Sequence, residues 1–124
     1  MAGRRIRVTA GGIQVVAELN DSVTADLLWA ALPMEAAART WGDEIYFRVP
    51  VEAEEEDARE VVDMGAVAYW PPGSALCLFF GPTPASRGDE IRPASAVNVV
   101  GQVVGDPTVM KHVRSGERVV VEEA

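Results

Sequence analysis

Gly65-Ala-Val-Ala-Tyr69-Trp70-Pro71-Pro72-Gly73-Ser-Ala-Leu76-Cys77-Leu78-Phe79-Phe80-Gly81 is the stretch whose reading decides the fold. Two short apolar runs, Val67 to Trp70 and Ala75 to Phe80, flank Pro71-Pro72-Gly73. The prolines fix φ twice and the glycine releases it, so the middle is a defined turn and the runs are strands. Adjacent residues on a strand face opposite sides. Tyr69 and Trp70 are therefore not expected to share one core, nor are Phe79 and Phe80. One of each pair should face outward or into a groove.

The same grammar extends towards both ends. Ile6 and Val8, then Ile13, Val15, Ala17 and Leu19, alternate with polar or exposure-tolerant residues, with Gly11-Gly12 between the two runs. Two glycines supply the positive φ of a tight turn, so the chain opens on a β-hairpin. Helical spacing follows at Val23, Leu27, Leu28 and Ala31, after N-cap candidates in Asn20-Asp21-Ser22 and before Pro33. This predicts one helix from Ser22 to Leu32, with those four side chains packed across a barrel end. Met34 to Thr40 is ambiguous. Its alanines favour a helix, yet Trp41-Gly42-Asp43-Glu44 is a turn signature and Ile45, Phe47 and Val49 alternate as a strand. A hairpin joining Ala36–Thr40 to Glu44–Val49 reconciles the two.

Downstream, Gly81-Pro82-Thr83-Pro84 is a rigid loop, and Val97 to Val104 is a strand that Gly101 marks for a bulge. Asp106 is placed to cap a helical turn over 107–112, and Val119 to Val121 is the last strand. Many short strands, one helix and no βαβ alternation give a mostly β fold, a closed antiparallel barrel or a sandwich, in a single domain over 1–124.

The 124 residues carry a formal charge of −8, and 48% of them are apolar. The apolar fraction is that of a packed globule. The negative charge repels phosphate backbones and anionic lipid, so no nucleic-acid or membrane partner is expected. One cysteine, Cys77, lies inside an apolar run and is expected to be buried and inert. With no internal disulfide, and no apolar stretch of signal-peptide length behind Arg4 and Arg5, the expected location is the cytoplasm. Glu52, Glu54, Glu55, Glu56 and Asp57 form an acidic loop, read as solvated surface. Their spacing does not match a calcium loop, so no metal is expected.

The catalytic inventory is thin. His112 is the single histidine, far in sequence from Cys77, and no nucleophile elbow, phosphate loop or dinucleotide fingerprint is present. No cofactor is expected. The aromatic distribution is the unusual feature. Trp41, Tyr46, Tyr69, Trp70, Phe79 and Phe80 gather at strand ends and turns. Such clusters either cover barrel corners or line a ligand groove. The candidate ligand-binding residues are Trp41, Tyr46, Trp70, Phe79 and Phe80, with Arg39 as the candidate catalytic or anion-binding cation.

Thr40-Trp41-Gly42-Asp43-Glu44-Ile45-Tyr46-Phe47, the stretch from Gly65 to Gly81, and Pro93-Ala94-Ser95-Ala96-Val97-Asn98-Val99 together resemble a family of small prokaryotic cyclophilin-like proteins, over nearly the whole chain. The resemblance implies a closed antiparallel β-barrel related to cyclophilins. Likeness to the true prolyl isomerases is weaker. Leu78-Phe79-Phe80 looks like their Gln-Phe-Phe strand, which would put Phe80 at the proline pocket, but leucine replaces the glutamine. Their Phe-His-Arg-Val-Ile segment has no counterpart, and Arg39 lies only in a comparable strand region. The leading reading is a binding domain holding a small molecule or peptide in an aromatic groove. A weak or altered prolyl isomerase is the second reading, needing an apolar pocket and a donor aimed at the twisted amide. The third is a structural subunit whose aromatics are buried in a homo-oligomer.

Overall fold

The computed structural model describes residues 3–124. Nine strands and one helix follow in the order β1 (Arg5–Ala10), β2 (Ile13–Leu19), α1 (Val23–Ala31), β3 (Met34–Ala37), β4 (Arg39–Thr40), β5 (Glu44–Arg48), β6 (Ala66–Trp70), β7 (Ala75–Phe79), β8 (Asn98–Val104) and β9 (Arg118–Glu123). Short 3₁₀ turns occupy Pro71–Gly73 and Pro107–His112. The strands form one antiparallel sheet in the order β3-β9-β1-β2-β8-β6-β7-β5-β4. Its two ends, β3 and β4, are separated by Ala38 alone. The same stretch of chain thus forms both edges and draws the sheet into a nearly closed barrel.

The opening hairpin turns through Gly11-Gly12 between Ala10 and Ile13, with Gly11 at φ +58°. The Met34–Thr40 ambiguity resolves as strand, though not as the single hairpin expected. Only Arg39 and Thr40 pair with β5, whereas Met34 to Ala37 pair with β9. Backbone pairing on both sides overrides the helical propensity of the alanines. The bulge falls where Gly101 marks it: Val67 pairs with Gly101 and Ala68 with Val99, leaving Val100 as the extra residue. A Cβ on Gly101 would lie 2.5 Å from the Glu18 carbonyl oxygen, so the position admits only glycine without movement of β2.

The helix has the expected bounds and a different inner face. Ser22 caps it, its hydroxyl accepting from the Ala25 N–H at 3.1 Å. Ala25 and Leu28 join the barrel core, with Trp29, Ala31 and Leu32 partly buried against it. Val23 and Leu27, expected to pack inward, are 64% and 41% exposed. The reason is polar. Thr24 takes the inward position because its hydroxyl donates to Glu56 at 2.7 Å and accepts from the Asn98 amide at 3.1 Å. Glu56 also accepts the Val23 and Thr24 backbone N–H groups, each at 2.9 Å. The acidic loop is therefore not solvated throughout, for one of its carboxylates closes the N-terminus of α1. These bonds, those from Thr24 first, hold the Glu56 carboxyl below its ordinary range.

Two cores flank the sheet. Inside the barrel, every second residue packs: Ile6 and Val8, Val15 and Ala17, Phe47, Val67 and Tyr69, Leu76 and Leu78, Val119 and Val121. The Tyr69 hydroxyl donates to the Val51 carbonyl at 2.7 Å, satisfying its one polar group. Outside the barrel, Ala66, Ala68, Cys77 and Phe79 are covered by Val62, Ile91 and Val97. Two strapping segments carry that cover, held by the isolated bridges Arg59↔Val97 and Val62↔Ile91. Both faces of β6 and β7 are thus buried, which is why their sequence is almost continuously apolar.

Candidate functional site

The strand register builds the site. On β5, period 2 puts Glu44, Tyr46 and Arg48 outward and Ile45 and Phe47 inward. Tyr46 pairs with Arg39 on one side and with Cys77 on the other, and Cys77 pairs with Ala68. One row across the outer wall therefore reads Arg39, Tyr46, Cys77, Ala68. The next reads Arg48, Ala75, Trp70. Small side chains at Cys77 and Ala75 leave a low floor between tall aromatic neighbours, while Ala68 is covered by the outer core.

Trp41 rises from the β4–β5 turn. Its backbone N–H donates to the backbone carbonyl of Glu44 at 3.0 Å. Gly42 makes this turn possible. It sits at φ +61°, and a Cβ there would lie 2.9 Å from Thr83 Cα. Trp70 stands at the end of β6, its indole N–H donating to Ser95 Oγ at 2.7 Å. Gly73 lies flat against its ring, where a Cβ would approach to 2.6 Å. The turn glycine thus gives the indole its seat.

These side chains enclose a cavity of about 270 Å³, lined by Trp41, Glu44, Tyr46, Trp70 and Cys77 from the barrel and by Pro93, Ala94 and Val97 from the strap. An adjoining cavity of about 520 Å³ shares Tyr46 and Trp70 and is bordered by Arg39, Arg48 and Gly73. Three of the sequence candidates, Trp41, Tyr46 and Trp70, are thus brought together. Arg39 is exposed and lies next door.

Phe79 and Phe80 line neither cavity, and both are buried, contrary to the expectation that one of them opens into a groove. Phe80 is in the barrel interior and Phe79 in the outer core. The expectation allowed for one core, whereas the straps supply a second on the opposite face. Trp70 behaves as expected: it is half-buried beside a fully buried Tyr69.

Sequence reasoning missed Glu44, the most informative residue of the site. It is 5% exposed, and its carboxyl meets the Cys77 thiol on the cavity floor. Burial pushes it up to about 7, a rise that the thiol hydrogen bond partly offsets. Burial, with the adjacent Glu44 charge, pushes the Cys77 thiol up as well. Counting back two residues from Tyr46 would have put Glu44 on the groove face. His112, on the late 3₁₀ turn, is exposed and does not line either cavity. Among the described residues, no cluster of histidine, cysteine and carboxylate side chains is placed to hold a metal ion, and no helix is long and apolar enough to cross a membrane.

A nearly closed antiparallel barrel with an aromatic recess on its outer wall is the class of structure these features define. The model of the cyclophilin-like family matches residues 4–122, and the chain belongs to that family. Among solved structures, it is similar to the solution structure of the hypothetical protein AF2241 from Archaeoglobus fulgidus. The two share 45% identity over 98% of this chain and 95% of that one, with a TM-score of 0.83. No protein with a curated description matches.

Proposed function

We propose that this chain is a binding domain that holds a small molecule, or one side chain of a peptide, in the recess between Trp41, Tyr46 and Trp70. The observation that carries the reading is the convergence of three aromatic side chains from the β4–β5 turn, β5 and β6 on one cavity. The walls are pre-formed: Gly42 lets the turn that carries Trp41 pack closely on the 82–84 loop, Gly73 seats the Trp70 indole, and Ser95 fixes that indole by a hydrogen bond. Pre-formed apolar concavity with a few polar groups is the usual character of a small-molecule site. The volume lies just below the usual range of about 300–1,000 Å³, which favours a small ligand.

Tryptophan fluorescence reports on the site directly, because two of the three tryptophans line it. The test is a ligand screen by thermal shift, repeated with Trp70→Ala. A ligand at about a hundred times its Kd stabilises the native state by about 2.7 kcal/mol. The expected result is a ligand that raises the Tm of the wild type, quenches its fluorescence and does neither in Trp70→Ala. Ligands that stabilise both proteins equally would place binding elsewhere.

A further inference from the structure

The recess contains one charge-bearing group of a kind that its walls do not explain. Glu44 is buried under aromatic and apolar side chains, and no lysine or arginine lines the cavity with it. A buried carboxylate without a cation is costly, so burial favours the protonated form until a cation is brought to it. The rings point to the same partner. Indole and phenol faces are electron-rich and attract cations, alkylated ammonium groups above all. Pro93, Ala94 and Val97 supply apolar surface for alkyl substituents. A bare divalent metal is a poor fit, since it demands several oxygen ligands and one carboxylate is present. An anion would meet a buried carboxyl and a protein of net charge −8.

We propose that the recess binds a small organic monocation, an alkylated amine, with its ammonium centre against Trp41, Tyr46 and Trp70 and Glu44 as its counter-charge. The inference rests on the binding-domain reading above and names the class of ligand. It also makes binding pH-dependent. The groups that share the cavity with Glu44 are Cys77 on β7 and Tyr46 on its own strand, while the Asp43 carboxylate in the turn lies against Gly81 and does not line the cavity. On the straps, Arg92 precedes Pro93 and is paired with Glu90 and Glu60, and Arg59, bridged to Val97, lines a different cavity. Arg39 and Arg48 line only the adjoining cavity. None of these supplies a cation to the floor. With Glu44 titrating at about 7, the cation binds the ionised form and releases a proton in acid. Apparent affinity then rises about tenfold between pH 6 and pH 8.

The probes are tetramethylammonium and choline, with the neutral isostere of choline in which a tert-butyl carbon replaces the ammonium nitrogen. Each is titrated by tryptophan fluorescence at both pH values into the wild type and Glu44→Gln. Expected are at least tenfold tighter binding of choline than of its isostere at pH 8, and the rise with pH for the cations only. Glu44→Gln should lose both differences while still binding the isostere, which shows the recess to be folded. Equal or tighter binding of the isostere, unchanged selectivity in Glu44→Gln, or affinity that falls as pH rises would overturn the cation assignment. The aromatic recess would survive each of those results. Binding of neither choline nor its isostere would also overturn it, and the unbiased screen with Trp70→Ala would then decide separately whether the recess binds anything.

Discussion

Glu44 also sets an expectation for stability. Its carboxyl titrates at about 7 in the folded protein, against an ordinary 4.5. Between those values the native state keeps a proton that the unfolded chain has given up. Stability from this group is therefore complete below 4.5, falls as pH rises to about 7, and is level above that. The difference amounts to about 3 kcal/mol for a group this buried. Glu44→Gln should recover up to that amount at pH 8 and little at pH 4, as measured by denaturant unfolding at the two values. No gain at pH 8 would mean that the carboxyl is better solvated than its 5% exposure implies. Glu56 has the opposite sign. Its lowered carboxyl contributes stability above the ordinary 4.5 that is lost as pH falls through its folded value. Acid should therefore weaken the bonds from Val23 and Thr24 to Glu56, leaving the Ser22 cap in place.

At the scale of elements, α1 separates what periodicity shows from what it hides. Its bounds were legible, because Ser22 and Pro33 are local signals whose action does not depend on the rest of the chain. Its inner face was not. A threonine that faces inward to meet Glu56 and Asn98, some thirty and seventy residues away, leaves no mark on local hydropathy. Leu28 and Leu27 make the distinction measurable. Leu28→Ala should cost about 2–5 kcal/mol, since the side chain is 3% exposed within the barrel core. Leu27→Ala, at 41% exposed, should stay within about 0.5 kcal/mol. Equal losses in urea unfolding would return the helix to the face that its spacing suggested. The Met34–Thr40 stretch carries the same lesson. Its two strand partners, β9 and β5, lie far downstream and a few residues downstream, and nothing in Glu35-Ala36-Ala37 announces a change of partner.

For the whole molecule, the barrel was readable from turn chemistry and alternation, and the outer core was not. Ile91 and Val97 give no sign in sequence that they lie across β6 and β7, so the burial of both Phe79 and Phe80 could not be anticipated. This bears on prolyl isomerisation. The reaction requires a ring pocket and a donor side by side at the twisted amide. Here Phe80 lies within the barrel and Arg39 on the outside, and they share no cavity. A protease-coupled assay with a proline peptide should therefore give background turnover for the wild type and Arg39→Ala alike. Robust turnover abolished by Arg39→Ala would restore the enzyme reading.

The join at Ala38 has a kinetic consequence. A ring of strands opens first where fewest ladder bonds must break together. Here that place is β4, which meets β5 through two residue pairs, while Ala38 hangs on the 116–117 turn by backbone bonds of 2.7 and 2.8 Å. Native-state hydrogen exchange should show the backbone amides of Arg39 and Thr40 unprotected well before those of the six-pair β1–β2 ladder. Tyr46 and Trp41 flank this gap, so an occupant of the recess would act as a latch, slowing exchange at a seam it does not itself bridge.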